Sequence, residues 1–372
     1  MGGGPDKEHL IIAHWDAEPK RETSLIKQLF PYIDITYVQV SRNIRPNVDN
    51  SNQISDDLWK SATILLTLFT LPSTKDKVPN LKIIHLFSAG VDAWSNHPIV
   101  KDSDIAITTS SGIHGPPITE WIVMTTLVAS RNYAIQYEWQ KQHSWAPERN
   151  RLMSGTDWAG KTVGIAGYGS IGRQAARVFS ALGASVHAYT ASPRSTPSAR
   201  KDNGYFVPGT GDPDGSIPTA WYSGTEKASL HTFLVSGLDA LIISLPLTPA
   251  TRHLFGAEEF RILGSSGSSK AKAAGQKAFL INIARGPILD QKALITALND
   301  DVLAGAALDV TDPEPLPKDD PLWDAKNVII TPHVSGLGSE YSDRAYDLFV
   351  TNWKRHERGE RMFNLVDRKK GY

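Results

Sequence analysis

Gly167, Gly169 and Gly172 are spaced as G-x-G-x-x-G within the run KTVGIAGYGSIGRQAA, residues 161–176. An apolar, strand-like stretch precedes them, and a helix-like stretch, 173–182, follows and closes on Gly183. That strand–turn–helix setting distinguishes the pattern from an ordinary glycine turn. Gly167 permits the tight turn, Gly169 lets backbone come close to a pyrophosphate, and Gly172 allows helix and strand to pack closely. Phosphate oxygens would lie on the helix N-terminus, where free N–H groups and the dipole favour negative charge. With Tyr168, Ser170 and Ile171 between them, the glycines form a candidate dinucleotide cradle. The next strand-like run, 185–190, carries no Asp or Glu at its end, where a ribose 2′-hydroxyl is usually held. Thr190, Ser192 and Arg194 stand there instead, and hydroxyls with a guanidinium suit a 2′-phosphate. The residues thus predict NADP(H) as the preferred cofactor, with NAD(H) possible.

Three further clusters follow: Asn282 to Gly286, containing Ala284 and Arg285; Asp309 to Glu314; and Thr331 to His333. Singly, each has a plain explanation as a surface pair, a loop charge or a satisfied loop histidine. All three, however, end strand-like runs of the same predicted sheet that begins with the glycine turn. Open α/β sheets bind ligands at that edge. Pro246 closes another such run and joins the candidate cofactor contacts.

The elements that must position these residues are short apolar runs alternating with amphipathic stretches. Residues 9–15, 32–40, 62–68, 80–86 and 104–108 read as strands, with helices at 20–30 and 53–60 between them. A longer helix is expected at 118–131. A second series has strands at 161–166, 185–190, 240–246, 278–284, 305–310 and 328–332, and the chain closes with a helix over 339–359. Alternation of this kind implies parallel sheets covered by helices on both faces. Two stretches break the pattern: 202–224, rich in Gly, Pro, Asp and Ser, and 264–276, which reads like a flexible linker. Both are expected to be surface loop insertions.

The 372 residues suit two domains. Lys+Arg (39) balance Asp+Glu (39), so no charge block argues for nucleic acid or a membrane surface as partner. The absence of cysteine excludes thiolate chemistry and a disulfide scaffold, and allows a cytoplasmic address. No cluster of metal-ligating spacing is visible, and no apolar run is long enough to span a bilayer.

Taken together, these motifs resemble the D-isomer-specific 2-hydroxyacid dehydrogenases, the family of glyoxylate/hydroxypyruvate reductases, D-lactate dehydrogenases and phosphoglycerate dehydrogenases. Ser88-Ala89-Gly90-Val91-Asp92 matches the family's substrate loop, and the glycine, arginine, acid and histidine motifs match in order. The resemblance implies a Rossmann domain, 118–335, inserted into a flavodoxin-like substrate domain made of 1–117 and 336–372. It also implies hydride transfer between a nicotinamide cofactor and a 2-oxo acid/(R)-2-hydroxy acid pair. In those terms His333 is the general acid–base and Glu314 its orienting partner. Arg285 binds the substrate carboxylate and polarises the 2-oxo group, while the N–H groups of Ala89, Gly90 and Val91 hold the carboxylate. Ala284 and Asp309 contact the nicotinamide end, and the protein is a homodimer. Phe69, Phe87, His114 and Trp145 are possible pocket walls. The departures are the missing acid after 185–190, the two insertions, and the stretch 110–121, which replaces an Ala/Val-rich helix entry. Two rivals carry similar residues. One is a corepressor-like dinucleotide sensor that binds with little turnover; the other is a relative that oxidises formate or phosphite, and in the formate enzymes the histidine's partner differs.

Overall fold

The computed structural model describes residues 7–42, 48–267 and 275–368. The chain divides into two compact units, one of Met1–Ile113 with Ser339–Tyr372 and the other of His114–Gly338.

The first unit is built on a five-stranded sheet: β1 (Glu8–His14), β2 (Ile33–Gln39), β3 (Ile64–Thr67), β4 (Ile83–Leu86) and β5 (Ala106–Thr109). Its order is β2-β1-β3-β4-β5 and every pairing is parallel. β3 and β4 are buried along their whole length, as the mainly apolar runs ILLT and IIHL require of strands covered on both faces. Ile11, Leu65, Ile84 and Ile107 form the middle of the core, with Trp59 and Trp94 filling its flank. The last helix, Tyr341–Glu357, returns to this unit and buries Tyr346, Phe349 and Trp353. Its final turn carries Lys354, Arg355 and His356, cations that suit a helix C-terminus.

The second unit holds seven parallel strands: β6 (Thr162–Ala166), β7 (Ser185–Thr190), β8 (Ala220–Ser223), β9 (Ala240–Ile243), β10 (Phe279–Asn282), β11 (Gly305–Leu308) and β12 (Val328–Ile330). The order is β12-β11-β10-β9-β6-β7-β8. The direction in which strands are added reverses at β6, which pairs in parallel with β7 on one side and β9 on the other. The crevice beyond the carboxyl ends of these strands is where such sheets bind ligands. Both units are therefore doubly wound parallel α/β layers, with the 2-1-3-4-5 and 3-2-1-4-5-6 orders expected of flavodoxin-like and Rossmann sheets, the latter extended by one strand. Among the described residues no helix is long and apolar enough to cross a membrane.

Several elements differ from the sequence reading. The stretch 202–224 is not wholly loop, because its end forms β8, which pairs with β7 from Ala220 to Ser223. β8 is an edge strand whose residues are only half buried, so it lacks the apolar run that marks an interior strand. The stretch 264–276 opens inside the helix Ala257–Ser266. Gly264 is packed so tightly there that an added Cβ would lie 2.1 Å from the Val302 carbonyl oxygen. Small residues at that point are demanded by packing, not by flexibility; residues 268–274 lie outside the described residues. An unexpected helix, Tyr133–Lys141, follows the long helix Gly115–Ser130. Of its nine residues only Trp139 is buried, so no apolar stripe announced it.

Candidate active site

β6 ends at Ala166, and the fingerprint turn begins at once. Gly167 sits at φ +97°, and a Cβ there would lie 2.3 Å from the Ser244 oxygen beyond β9. A Cβ on Gly172 would lie 2.3 Å from the Gly167 oxygen and 2.9 Å from Ile165. The nearest contact at each is a backbone oxygen, so neither position can yield to a side chain. Gly169 differs: a Cβ there would meet nothing within 4 Å. It caps the helix Ser170–Ala181, whose first turn contains no acidic residue. Open space in front of unsatisfied helix amides is what a pyrophosphate needs, so the residues fit a dinucleotide.

At the end of β7 the Thr190 hydroxyl donates to the Ser192 carbonyl at 2.8 Å. Ser192 is exposed. Arg194 donates through Nη1 to the Ala199 carbonyl at 2.5 Å, and Arg200 donates through Nε to the Arg194 carbonyl at 2.9 Å. These bonds fold the segment after β7 into a compact basic corner. Pro246 is exposed and lies beyond β9, which stops at Ile243 rather than running to Pro246. Its carbonyl accepts from the Thr251 hydroxyl at 2.7 Å.

Arg285 follows β10 in extended conformation. The Asn282 amide holds this turn from both sides, accepting from Ala284 N–H and donating to the Arg285 carbonyl, each at 3.1 Å. Arg285 Nη1 donates to the Ala284 carbonyl at 2.8 Å. Gly286 is forced, because a Cβ there would lie 1.9 Å from the Thr311 carbonyl oxygen. Through that contact the arginine turn packs on the acid-bearing segment after β11.

His333 and Glu314 meet at 2.6 Å through Nδ1 and Oε1. Chiefly by this hydrogen bond, the imidazole pKa is raised above 6.5 and the Glu314 carboxyl is lowered below its ordinary value. Burial and the Arg285 charge oppose the rise at His333. Both side chains remain partly exposed. The histidine backbone sits at φ +56°, a left-handed conformation that non-glycine residues rarely adopt. The surrounding bonds hold it there. His333 N–H donates to the Asp309 carbonyl at 2.8 Å.

Asp309 is the anchor of that loop. Its Oδ1 accepts from the Thr331 hydroxyl at 2.6 Å and from Val334 N–H at 2.9 Å. Oδ2 accepts from Ser335 N–H at 2.9 Å and also from the Ser335 hydroxyl. Asp309 is 1% exposed, and its carboxylate is turned to the loop that carries His333. The sequence reading did not assign it this part in holding the loop. Thr331 was named only as the start of the histidine cluster and Ser335 was given no role; hydroxyl residues flanking the histidine were the available signal.

In the other unit, Ser88 Oγ donates to the Gly90 carbonyl at 2.8 Å, and Ser110 N–H donates to the Ser88 carbonyl at 2.9 Å. Among the described residues, no backbone N–H of Ala89, Gly90 or Val91 is given to another group of the chain. Of the possible pocket walls, Phe87 and His114 are buried, Phe69 is partly exposed beside Trp15, and Trp145 is fully exposed.

The family model of the D-isomer specific 2-hydroxyacid dehydrogenase NAD-binding domain matches residues 123–208 and 215–335. A glyoxylate reductase of Thermofilum pendens is 30% identical over 294 residues, covering 79% of this chain and 77% of that protein. A glyoxylate reductase of Korarchaeum cryptofilum is 28% identical over 321 residues, covering 85% and 86%. Among solved structures, an NADPH-dependent glyoxylate/hydroxypyruvate reductase of Sinorhizobium meliloti, in complex with NADP and sulfate, superposes with a TM-score of 0.70 at 25% identity. The match covers 98% of this chain and 100% of that one. A probable 2-hydroxyacid dehydrogenase of Rhizobium etli in complex with NADP, HEPES and L(+)-tartaric acid gives 0.68 at 25% identity, over 98% and 100%.

Proposed function

The chain belongs to the D-isomer specific 2-hydroxyacid dehydrogenase family, and from that premise we propose that it reduces a small 2-oxo acid of the glyoxylate or hydroxypyruvate type with NADPH. The observation that carries the reading is the 2.6 Å His333–Glu314 pair on a loop fastened by Asp309. A histidine so oriented can hold and release a proton at one defined atom.

Bound at the glycine cradle, the nicotinamide cofactor supplies the hydride. The protein's residues do the rest. Glu314 occupies Nδ1 of His333, which leaves Nε2 as the atom that gives its proton to the carbonyl oxygen during reduction. The raised pKa, caused chiefly by the Glu314 hydrogen bond, favours the protonated imidazole. Arg285 pairs with the substrate carboxylate and stabilises the alkoxide that develops as the carbonyl is reduced. The amides of Ala89 to Val91, given to no other group among the described residues, are themselves able to bind a carboxylate. Ala284, at the turn before Arg285, flanks the nicotinamide end. A dinucleotide sensor with little turnover is not favoured, since the relatives named above are reductases.

The preference for NADPH rests on the corner after β7, where Thr190, Ser192 and Arg194 stand without an acid. The NADP-bound structures named above point the same way. Arg194→Ala is expected to lower kcat/KM with NADPH by roughly tenfold to a hundredfold while leaving NADH nearly untouched. Equal losses with both cofactors would remove Arg194 from the 2′-phosphate site.

A homodimer is part of the same reading. Tyr133, Tyr137, Trp145 and Met153 are exposed in one stretch of chain after the helix Gly115–Ser130, where Met124 is exposed as well. Sedimentation is expected to give twice the chain mass. A monomer at micromolar concentration would overturn this. A cytoplasmic setting accords with the absence of cysteine.

The decisive assay follows nicotinamide absorbance with NADPH and then NADH across glyoxylate, hydroxypyruvate, pyruvate and phenylpyruvate. Turnover of glyoxylate or hydroxypyruvate with NADPH is the expected result. Binding of dinucleotide without turnover of any 2-oxo acid would sink the proposal.

A further inference from the structure

The insertion after β7 is fastened to the glycine turn. Tyr168, the residue between Gly167 and Gly169, is 5% exposed and donates its hydroxyl to Asp212 Oδ2 at 2.8 Å. Asp212 is 4% exposed and lies between the two stretches matched by the family model, 123–208 and 215–335. Its carboxylate also accepts from Ser216 N–H at 3.0 Å and Ile217 N–H at 3.1 Å, which closes the insertion's own turn. The buried Arg173 on the fingerprint helix completes the joint. It donates to the Asp212 carbonyl at 2.5 Å and to the Arg200 carbonyl at 2.7 Å, and lies 3.4 Å from the Asp202 carboxylate. Its guanidinium stands 5.0 Å from the centre of the Tyr168 ring. Gln174 and Arg177, on the same helix, bond Gly211 N–H and the Gly209 carbonyl.

Two parts of one ligand site are thereby tied to a single buried hub. Tyr168 belongs to the pyrophosphate turn. Arg200, held by Arg173, donates through Nε to the carbonyl of Arg194 at the 2′-phosphate corner. Gly215 leaves no slack, since a Cβ there would lie 2.5 Å from the Arg200 carbonyl oxygen. A strut of this kind fixes the spacing between pyrophosphate and adenosine ribose before the ligand arrives, and preorganisation of a site raises affinity without touching the reacting atoms.

We propose that the segment 202–217 is a cofactor-positioning strut, with Asp212 as the residue that holds the Tyr168 turn and the Arg194 corner in register for an adenosine 2′-phosphate dinucleotide. The inference rests on the NADPH reading above. Asp212 touches neither substrate nor cofactor; it acts through Tyr168 and through the turn that Arg173 grips.

The test is Asp212→Asn in the full chain, read by steady-state kinetics and by calorimetric binding of NADPH and of 2′,5′-ADP. Loss of one charged acceptor in a buried network is expected to raise KM for NADPH and Kd for 2′,5′-ADP by roughly tenfold. KM for the 2-oxo acid and kcat at saturating NADPH are expected to stay within about twofold, a split that a general loss of stability does not produce. Asp212→Glu, which keeps the charge, is expected to recover part of the affinity. Arg173→Lys keeps the charge but cannot bond both the Asp212 and the Arg200 carbonyls, and it carries the same test if Asp212→Asn fails to fold. Unchanged NADPH and 2′,5′-ADP affinity in a folded variant overturns the strut. Wild-type protein that binds neither NADPH nor NADH overturns the cofactor reading itself, and so the two failures are told apart.

Discussion

His333→Gln lowers the rate of 2-oxo acid reduction by roughly 10²–10⁴-fold, the range one general acid–base group contributes. Glutamine retains an amide that can bond Glu314 but has no proton to deliver to an alkoxide, so dinucleotide and substrate binding stay near normal while kcat falls. The pH profile makes the assignment specific. Reduction needs the imidazolium, and Glu314 holds the His333 pKa above 6.5. kcat/KM for reduction is therefore level below that raised pKa and declines as pH rises through it; oxidation of the hydroxy acid shows the opposite limb. In His333→Gln the limb disappears from the residual activity. A variant that keeps both its rate and its limb would show that another group moves the proton.

What the sequence made legible follows from which interactions are local. The glycine turn is a local device: Gly167 and Gly172 answer steric demands set within a few residues or across one strand pair, and Gly169 leaves open the space between them, so spacing alone exposes it. Strands, though not their ends, were legible where both faces are buried, as in β3 and β4, because the run is mainly apolar. β8 and the helix Tyr133–Lys141 were not, since half-buried and exposed elements carry no such run. The work of Asp309 was hidden for a different reason. Its partners Thr331, Val334 and Ser335 lie 22 to 26 residues away, and only the sheet brings them to its carboxylate. Asp212 was hidden more deeply still, within a stretch whose Gly, Pro and Asp content reads as loop. The Tyr168 hydroxyl that it accepts comes from 44 residues earlier. Composition tells how a segment is built, not what it is fastened to.

Arg285→Gln is the second substitution with a large expected effect, and its two consequences point in opposite directions. Loss of the guanidinium removes the charge that pairs with the substrate carboxylate and meets the developing alkoxide, so kcat/KM falls by roughly 10²–10³-fold. Lysine does not restore it fully, because a point charge cannot reproduce the planar fork. The same guanidinium also pushes the His333 pKa down, against the effect of Glu314. Its removal therefore shifts the basic limb of the residual reduction rate to higher pH, even as the rate itself collapses. A loss confined to folding would move neither the limb nor the ratio of substrate KM to cofactor KM. Arg285 is only partly buried, and its turn is held by the Asn282 amide and by Gly286 against Thr311, groups that the substitution leaves in place. A folded Arg285→Gln protein with an unshifted limb would place the arginine too far from the histidine to share its chemistry, and the assignment of both residues to one reacting centre would have to be withdrawn.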